Sequence, residues 1–169
     1  PRTDLSYTVE YYFNGVIDNS LTETFENQTY GSKITTYPDK VKPGYRIDSA
    51  IFPDSIGIED NVVRVFYEID ESQTKELSYK VEYYKDGVLT DTDVEKTVVQ
   101  LLESNVMTVD KSKINTTNKY EGYYFERTIP TVIPDTVNSG DTIKVNYTIR
   151  KDLSYKVKYY FNGELDDSL

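Results

Sequence analysis

The sequence contains no cysteine, no histidine and no tryptophan, and it has a single methionine. Without cysteine or histidine the chain has no disulfide, no thiolate nucleophile and no imidazole base. A hydrolase would then need paired carboxylates or a lysine-activated serine. No spacing in the sequence distinguishes such a group from ordinary surface residues. We therefore expect no enzymatic activity, no catalytic residue, no cofactor and no bound metal.

Long apolar runs and an excess of positive charge are also missing. No stretch approaches the length of a membrane-spanning helix, so we expect no insertion of this segment into a membrane. Lysine and arginine together number 19 against 29 aspartates and glutamates, which leaves a net charge of −10. Such a surface repels nucleic acid and anionic membranes, so we expect neither as a partner. The absence of cysteine is compatible with an exported protein.

Tyrosine is abundant, and it concentrates in a segment that occurs three times. Asp4–Gly15, Glu76–Gly87 and Asp152–Gly163 are nearly the same, with a period of about 74 residues, which is the signature of a tandem array. We assign a first repeat to residues 4–75, a second to 76–151, and the opening strand and turn of a third to 152–169. We expect the natural protein to continue that third repeat. Tandem arrays of this kind act as extended spacers or make multivalent contacts.

Each repeat opens and closes on a strand with alternating apolar residues. Period-two alternation of aromatic and β-branched residues indicates half-buried strands, and Asn-Gly or Asp-Gly directly after the opening strand indicates a two-residue hairpin turn. The apolar positions are Tyr7, Val9, Tyr11 and Phe13 in the first opening strand, Val63, Val65, Tyr67 and Ile69 in its closing strand, and Ile143, Val145, Tyr147 and Ile149 in the second closing strand. Because the strands share this phase, we expect the opening and closing strands of a repeat to lie side by side.

The middle of the second repeat is longer than that of the first. Val94, Val98, Leu101 and Leu102 have helical spacing, and Thr92 with Glu95 has the spacing of a capping box. We therefore predict a short amphipathic helix over Val94–Glu103, packed on the sheet. The first repeat is expected to have a second strand at Leu21–Glu26 and an irregular crossover at Gly31–Val41.

The combined pattern of Tyr-x-Val-x-Tyr-Tyr, Gly-Tyr and a final Val-x-Val-x-Tyr resembles a known family, the mucin-binding-protein-type (MucBP) repeats of Gram-positive surface proteins. The residues that carry the resemblance are Gly44-Tyr45 and Gly122-Tyr123 with the closing strands that follow them. The resemblance implies a mostly β (α+β) fold of tandem β-grasp-like modules, each a small mixed sheet with a short helix or crossover. It also implies an extracellular, cell-wall-anchored protein.

Three tyrosines are the candidate ligand-facing residues. Tyr12, Tyr84 and Tyr160 occupy the phase of the opening strand that faces away from the core. Exposed rings on a sheet could stack on sugar rings or on another partner, whereas cross-strand packing would occupy them structurally.

Two other groups deserve a chemical interpretation. Asp91, Asp93 and Glu95 alternate after the second hairpin turn, as Ca²⁺ ligands in a loop could, although a solvated turn explains them equally well. Lys80 and Asn146 lie on matching strands, so they could form an isopeptide bond if both were buried beside an acid. An ordinary exposed lysine near an asparagine is the simpler alternative.

The leading interpretation is a semi-rigid stalk that presents a distal adhesive domain, with neighbouring repeats as partners. The alternative is an adhesin module that contacts host mucin or another glycan through the exposed tyrosines. The third opening strand, with its apolar strip, is expected either to add to an edge of the second repeat or to exchange with another copy.

Overall fold

The computed structural model describes residues 1–168, and these residues form two compact units. The first unit comprises Pro1–Glu76 together with Val98–Ser104, and the second comprises Leu77–Thr97 and the chain from Asn105 onward. Their regular secondary structure is almost entirely β-strand, as expected from the sequence.

The first unit contains one mixed sheet. Its strands are β1 (Leu5–Phe13), β2 (Val16–Ile17), β3 (Glu23–Gln28), β4 (Tyr45–Ile51) and β5 (Val62–Ile69). The spatial order is β2-β1-β5-β4, and β3 also pairs with β1. Strands β1 and β5 are parallel, with Thr8 opposite Val62 and Phe13 opposite Tyr67. The predicted adjacency of the opening and closing strands is confirmed, as is the irregular crossover between β3 and β4.

The core of the first unit follows the predicted alternation. It consists of Val9, Tyr11, Phe13, Val63, Val65 and Tyr67, which are all buried. Phe25 and Tyr45 pack on this cluster from β3 and β4, and Ile34 and Tyr37 pack on it from the crossover. An irregular segment with apolar and aromatic side chains therefore covers the sheet in place of a helix.

The second unit has the same central parallel pair and a longer first hairpin. Its strands are β6 (Thr74–Lys85), β7 (Val88–Gln100), β8 (Val106–Thr108), β9 (Tyr123–Ile129), β10 (Thr136–Asn138) and β11 (Thr142–Ile149). The main sheet has the order β7-β6-β11-β9, and β8 pairs with β10 separately. Strands β6 and β11 are parallel, with Val81 opposite Ile143. The opening and closing strands are again neighbours, as predicted.

The predicted helix at Val94–Glu103 is wrong. Val88–Gln100 is a single strand, followed by a turn, and Val94 and Val98 are exposed rather than packed on the sheet. Four valines and three threonines lie in these thirteen residues, and β-branched side chains favour strands. The hairpin turn that precedes the strand already directs the chain back along β6. Within residues 1–168 the helical segments are the two 3₁₀ turns Asn19–Leu21 and Lys111–Lys113.

The predicted hairpin turns form at all three positions. Asn14 and Gly15 have φ of 48° and 80°, Asp86 and Gly87 have 45° and 83°, and Asn162 and Gly163 have 49° and 86°. Positive φ at both central residues is the requirement of a type I′ turn, which matches the twist of the flanking strands. The Asn-Gly and Asp-Gly dipeptides therefore form these hairpins because both of their residues tolerate positive φ.

The third copy forms only a small hairpin. Strand β12 (Tyr159–Phe161) pairs with β13 (Glu164–Asp166), and these two strands make a sheet of their own. The predicted addition of this segment to an edge of the second repeat is therefore wrong, because the short hairpin pairs with itself. The last residue of the predicted third repeat, 169, lies outside the described residues.

Candidate functional site

The outer face of the first sheet carries a compact aromatic and charged cluster around Tyr12. The ring of Tyr12 stacks on Phe66, its neighbour across the parallel pair, with centroids 5.0 Å apart. The Tyr12 hydroxyl donates to Glu10 Oε2 at 2.8 Å, and this hydrogen bond raises the pKa of Tyr12. Arg64 Nε lies 3.4 Å from the same carboxylate oxygen. Tyr12 is half-buried by these contacts, so cross-strand packing occupies one face of its ring.

The second sheet has the equivalent cluster with two substitutions, Lys144 in the place of Arg64 and Asn146 in the place of Phe66. Tyr84 donates to Glu82 Oε2 at 2.6 Å, and Lys144 Nζ lies 5.5 Å from the Tyr84 ring centroid. Asn146 stands opposite Tyr84, where the first sheet has Phe66 opposite Tyr12. The Nδ2 atom of Asn146 is buried and has no hydrogen-bond partner among the described residues. The second cluster therefore lacks the aromatic stack of the first.

Tyr160 belongs to neither cluster. It lies in β12 and is exposed, opposite Leu165 of the terminal hairpin. The three candidate tyrosines therefore have three surroundings: a stacked ring beside an ion pair, a ring beside a lysine and an asparagine, and a solvated ring. Each lies in a sheet of its own.

The acidic residues after the second hairpin turn are engaged by protein groups. Tyr120 Oη donates to Asp91 Oδ2 at 2.6 Å, and Lys119 Nζ is 3.7 Å from the same oxygen. Glu95 accepts from Lys113 Nζ at 2.7 Å. These three acids alternate along β7, an extended strand, rather than curving around one point. No cluster of acids that could hold a metal ion occurs in residues 1–168.

Lys80 and Asn146 are too far apart for a covalent bond. Lys80 stands opposite Thr142, whereas Asn146 stands opposite Tyr84. Four residues of strand separate the two positions, which corresponds to about 13 Å along the sheet. Lys80 is also exposed. The isopeptide hypothesis is therefore wrong for this pair.

The sequence reasoning missed a set of hydrogen bonds made by core tyrosines. Tyr11 Oη donates to the Pro38 carbonyl at 2.7 Å, and Tyr67 Oη donates to Asp39 Oδ1 at 2.6 Å while accepting from Lys40 N at 2.9 Å. These rings belong to the two central strands, and their hydroxyls reach through the core to the crossover. Residues 38–40 are thereby fixed over the sheet without any helix.

The second unit uses the same device at the equivalent positions. Tyr147 Oη donates to the Asn115 carbonyl at 2.8 Å, and Asn115 N donates to Tyr83 Oη at 3.3 Å. We call the pairs Tyr11 and Tyr67, and Tyr83 and Tyr147, the tyrosine anchors. The available signal in the sequence was that each pair of central strands places three tyrosines in the inward phase, of which the anchors are two.

Burial changes the ionisation of the tyrosine anchors. Desolvation, followed by the charges of Glu23 and Asp39, raises the pKa of Tyr11 to about 12. Desolvation also raises the pKa of Tyr67 strongly, with a further contribution from its hydrogen bond to Asp39. All four anchors have raised pKa values for which desolvation is the largest cause. Their hydroxyls therefore stay protonated at physiological pH.

A shallow depression of about 390 Å³ lies beside the first hairpin, between Phe13, Asp18 and Tyr45. Lys42 closes part of it, with Nζ 4.4 Å from the Phe13 ring centroid and 3.4 Å from Asp18 Oδ2. The carboxylate of Asp18 also accepts from the backbone and hydroxyl of Ser20. The two charged side chains of this depression, Lys42 and Asp18, are thus paired with each other.

No helix in the described part of the chain is long and apolar enough to cross a membrane. No family model and no curated protein matches the sequence. Among solved structures the chain is similar to the type 2 repeat of the mucus binding protein MUB from Lactobacillus reuteri. The identity is 15%, the match covers 86% of this chain and 100% of that chain, and the TM-score is 0.29. At this identity and TM-score the match assigns neither a family nor a ligand to the chain.

Proposed function

We propose that this chain is a tandem-repeat segment of an extracellular bacterial surface protein, in which β-grasp-like modules form a semi-rigid stalk. The stalk would hold a distal adhesive domain away from a cell wall to which the protein is anchored. Its direct partners would be neighbouring repeats. We propose no enzymatic activity and no cofactor for the segment.

The parallel pairing of the first and last strands of each repeat is the observation that carries this proposal. In the first unit the chain enters β1 at Leu5 and leaves β5 at Ile69. Parallel strands begin at the same end, so the entry and the exit of the sheet lie at opposite ends. A strand of nine residues spans about 30 Å. Each repeat therefore advances the chain by its own length, as a spacer requires.

The same geometry determines how the sheet bears tension. A pull on the chain draws β1 and β5 in opposite directions along their length, so the hydrogen bonds between them are loaded together. Pulling at the same end of both strands would instead break those bonds one after another. The second unit has the same parallel pair, β6 with β11. We therefore expect both modules to resist force along the chain.

Single-molecule force spectroscopy tests the proposal directly. Because the chain has no cysteine, two introduced cysteines give unique attachment points. Thr3→Cys with Glu71→Cys loads β1 and β5 in shear. Forced unfolding depends on the barrier along the pulling direction. We expect this pair of handles to give the higher unfolding force for the first unit at a given loading rate.

Val16→Cys with Glu71→Cys is the matched control, because Val16 pairs with Phe13 at the end of β1 that lies beside Tyr67. This variant keeps the same protein and one common handle, and it unzips the parallel pair. Equal unfolding forces for the two variants would contradict a load-bearing role of the pairing.

Glycan or mucin binding is the second candidate, and the Tyr12 cluster favours it. A half-buried aromatic ring next to a carboxylate and a guanidinium could offer a sugar a stacking surface and hydrogen-bonding groups together. We expect Tyr12→Ala to abolish mucin or glycan-array binding if this cluster is the site. Tyr160→Ala, at an exposed position outside the cluster, is the control. No binding by the unmodified segment would eliminate this candidate and leave the stalk proposal standing.

A further inference from the structure

The turn after β1 joins an exposed asparagine, Asn14, directly to a glycine, Gly15. Nothing lies within 4 Å of the position that a Cβ atom would take on Gly15, so the space beside the turn is open. Among the described residues, neither the Asn14 side chain nor the Gly15 backbone nitrogen makes a hydrogen bond. The side-chain amide of Asn14 is therefore free to approach the nitrogen of Gly15, and both groups are accessible to water.

The other asparagines of the first repeat lack this combination. Asn61 is 8% exposed, and its side chain is held by hydrogen bonds to the backbone of Ser6 and Gly57. Asn19 and Asn27 are exposed, but each precedes a residue with a Cβ atom. Such a side chain crowds the following backbone nitrogen, whereas glycine leaves it unhindered.

The second repeat has an aspartate at the place of Asn14. Asp86 and Gly87 form a turn of the same geometry, with φ of 45° and 83°. Asp86 Oδ1 accepts from Ile149 N at 3.1 Å, and the equivalent nitrogen of the first unit belongs to Ile69. An aspartate therefore fits the first position of this turn and has a backbone donor within reach.

We propose that Asn14 is a site of spontaneous chemical modification, at which its side chain reacts first with the backbone nitrogen of Gly15 and then with water. In the first step Gly15 N attacks Asn14 Cγ, and a bond between these atoms forms. The bond from Cγ to the side-chain nitrogen breaks, and this nitrogen leaves as ammonia with the proton of the Gly15 amide. The product is a five-membered ring, and asparagine is known as a chemically labile residue for this reason.

Water opens the ring in one of two ways. Breaking the bond between Gly15 N and Cγ gives an ordinary aspartate at residue 14. Breaking the bond between Gly15 N and the main-chain carbonyl carbon gives isoaspartate, in which the backbone runs through Cβ and Cγ. Isoaspartate thereby adds one atom to the backbone of the turn, which lengthens it by about 1.5 Å.

The longer backbone of isoaspartate is incompatible with the present hairpin. Phe13 pairs with Val16 and Tyr12 pairs with Ile17, and a two-residue turn of fixed length determines this register. Isoaspartate should therefore disrupt the pairing of β1 with β2, whereas aspartate should preserve it. Asp86 is protected from the same reaction, because a carboxylate is a poorer target for a nucleophile than an amide. The modification thus acts on the first module and spares the second.

Incubation of the full chain in mildly alkaline buffer without denaturant tests the proposal. Each conversion loses ammonia and gains water, so the mass rises by one unit, and fragment ions in mass spectrometry locate the change. We expect Asn14 to be converted to both products at least several-fold faster than Asn19, its exposed neighbour in sequence. The rate should rise with pH, because the nitrogen of Gly15 attacks after it has lost its proton.

Two variants provide the controls. Asn14→Gly keeps a dipeptide that suits the type I′ turn, and it should show no gain of mass at this residue. Asn14→Asp supplies the ordinary product with an unchanged backbone. It therefore separates the effect of the new charge from the effect of the longer turn.

Hydrogen exchange distinguishes the two products after chromatographic separation. In the unmodified chain Asp18 N donates to Tyr11 O at 2.8 Å beside the turn, and Thr8 N donates to Asn61 O at 2.9 Å at the other end of β1. The isoaspartate form should lose protection at the Asp18 amide and keep it at the Thr8 amide. Asn14→Asp should keep both.

The proposal is overturned if Asn14 stays intact in the folded chain while it is converted in urea, or if Asn14 and Asn19 react at the same rate. Conversion to aspartate with no isoaspartate would exclude the ring intermediate. An isoaspartate form with unchanged protection at Asp18 would contradict the predicted loss of register.

Discussion

The side chain of Leu102 lies directly over Gly44. A methyl group at Gly44 would be 2.5 Å from Leu102 Cγ, and Gly44 has a φ of +85°. The backbone around this contact is fixed as well, because Gly44 N donates to Gln73 Oε1 at 2.8 Å and Leu101 N donates to the Gln73 carbonyl at 2.9 Å. The end of β7 is thereby held within the first compact unit, against the glycine of the Gly-Tyr motif.

Gly44→Ala should destabilise the first unit more than Gly122→Ala destabilises the second. Both glycines have positive φ, which costs an alanine about 1–2 kcal/mol, but no atom lies within 4 Å of a methyl group at Gly122. The difference between the two losses in unfolding free energy, measured in urea, isolates the contact with Leu102. Leu102→Ala added to Gly44→Ala should recover that difference, and failure to recover it would show that the loss comes from the backbone alone.

Tyr67→Phe should cost about 1–3 kcal/mol of unfolding free energy, because it removes two hydrogen bonds, one of them to a carboxylate. The ring and its packing are kept, so the loss reports on the anchoring of the crossover at Asp39 and Lys40. Tyr12→Phe is the matched control, since the hydroxyl lost there bonds only a partly solvated glutamate on its own strand. Equal stabilities for the two variants in urea denaturation would contradict the role assigned to the anchor.

The protein should lose stability as the pH rises from about 10 towards 12. An unfolded tyrosine ionises near pH 10, whereas the pKa of Tyr11 in the folded state is raised to about 12. The folded state therefore retains protons that the unfolded state has released, and the stabilisation that is complete below pH 10 is lost through this interval. Urea midpoints measured at successive pH values should fall accordingly. Tyr11→Phe should make the decline shallower, and an unchanged slope would assign the effect to other groups.

Removing residues 152–169 should leave the stability of the remaining chain within about 0.5 kcal/mol of the full-length value. The hairpin β12–β13 pairs with itself, and the side chains of the opening segment before it are exposed. Thermal unfolding followed by circular dichroism provides the comparison. Loss of the unfolding transition of the second unit would show that this unit requires the strand.

The sequence was sufficient to predict the central strands and the hairpin turns. Alternation places Val9 and Tyr11 in the core, and positive φ at Asn14 and Gly15 follows directly from the residue types. These features depend on local backbone preferences and on one buried face, both of which leave a period in the sequence.

The strand β7 and the Tyr12 cluster could not be predicted in the same way. The apolar residues from Val94 to Leu102 have helical spacing, yet the hairpin turn and the β-branched composition determine the structure. The stacking of Tyr12 on Phe66 depends on the register between β1 and β5, which are distant in sequence. No local pattern encodes such a register, so the sequence identified Tyr12 as outward-facing without identifying its partners.

The parallel pairing of β1 with β5 has a consequence for the order of events during biosynthesis. Thr8 can pair with Val62 only after roughly fifty further residues have been synthesised. The contact order of the sheet is therefore high. An emerging repeat therefore cannot close its sheet until nearly all of it is available, and meanwhile its opening strand coexists with almost identical strands from other repeats. Folding in register depends on each repeat finishing before the next closing strand appears, so the rate of chain emergence becomes a determinant of correct assembly.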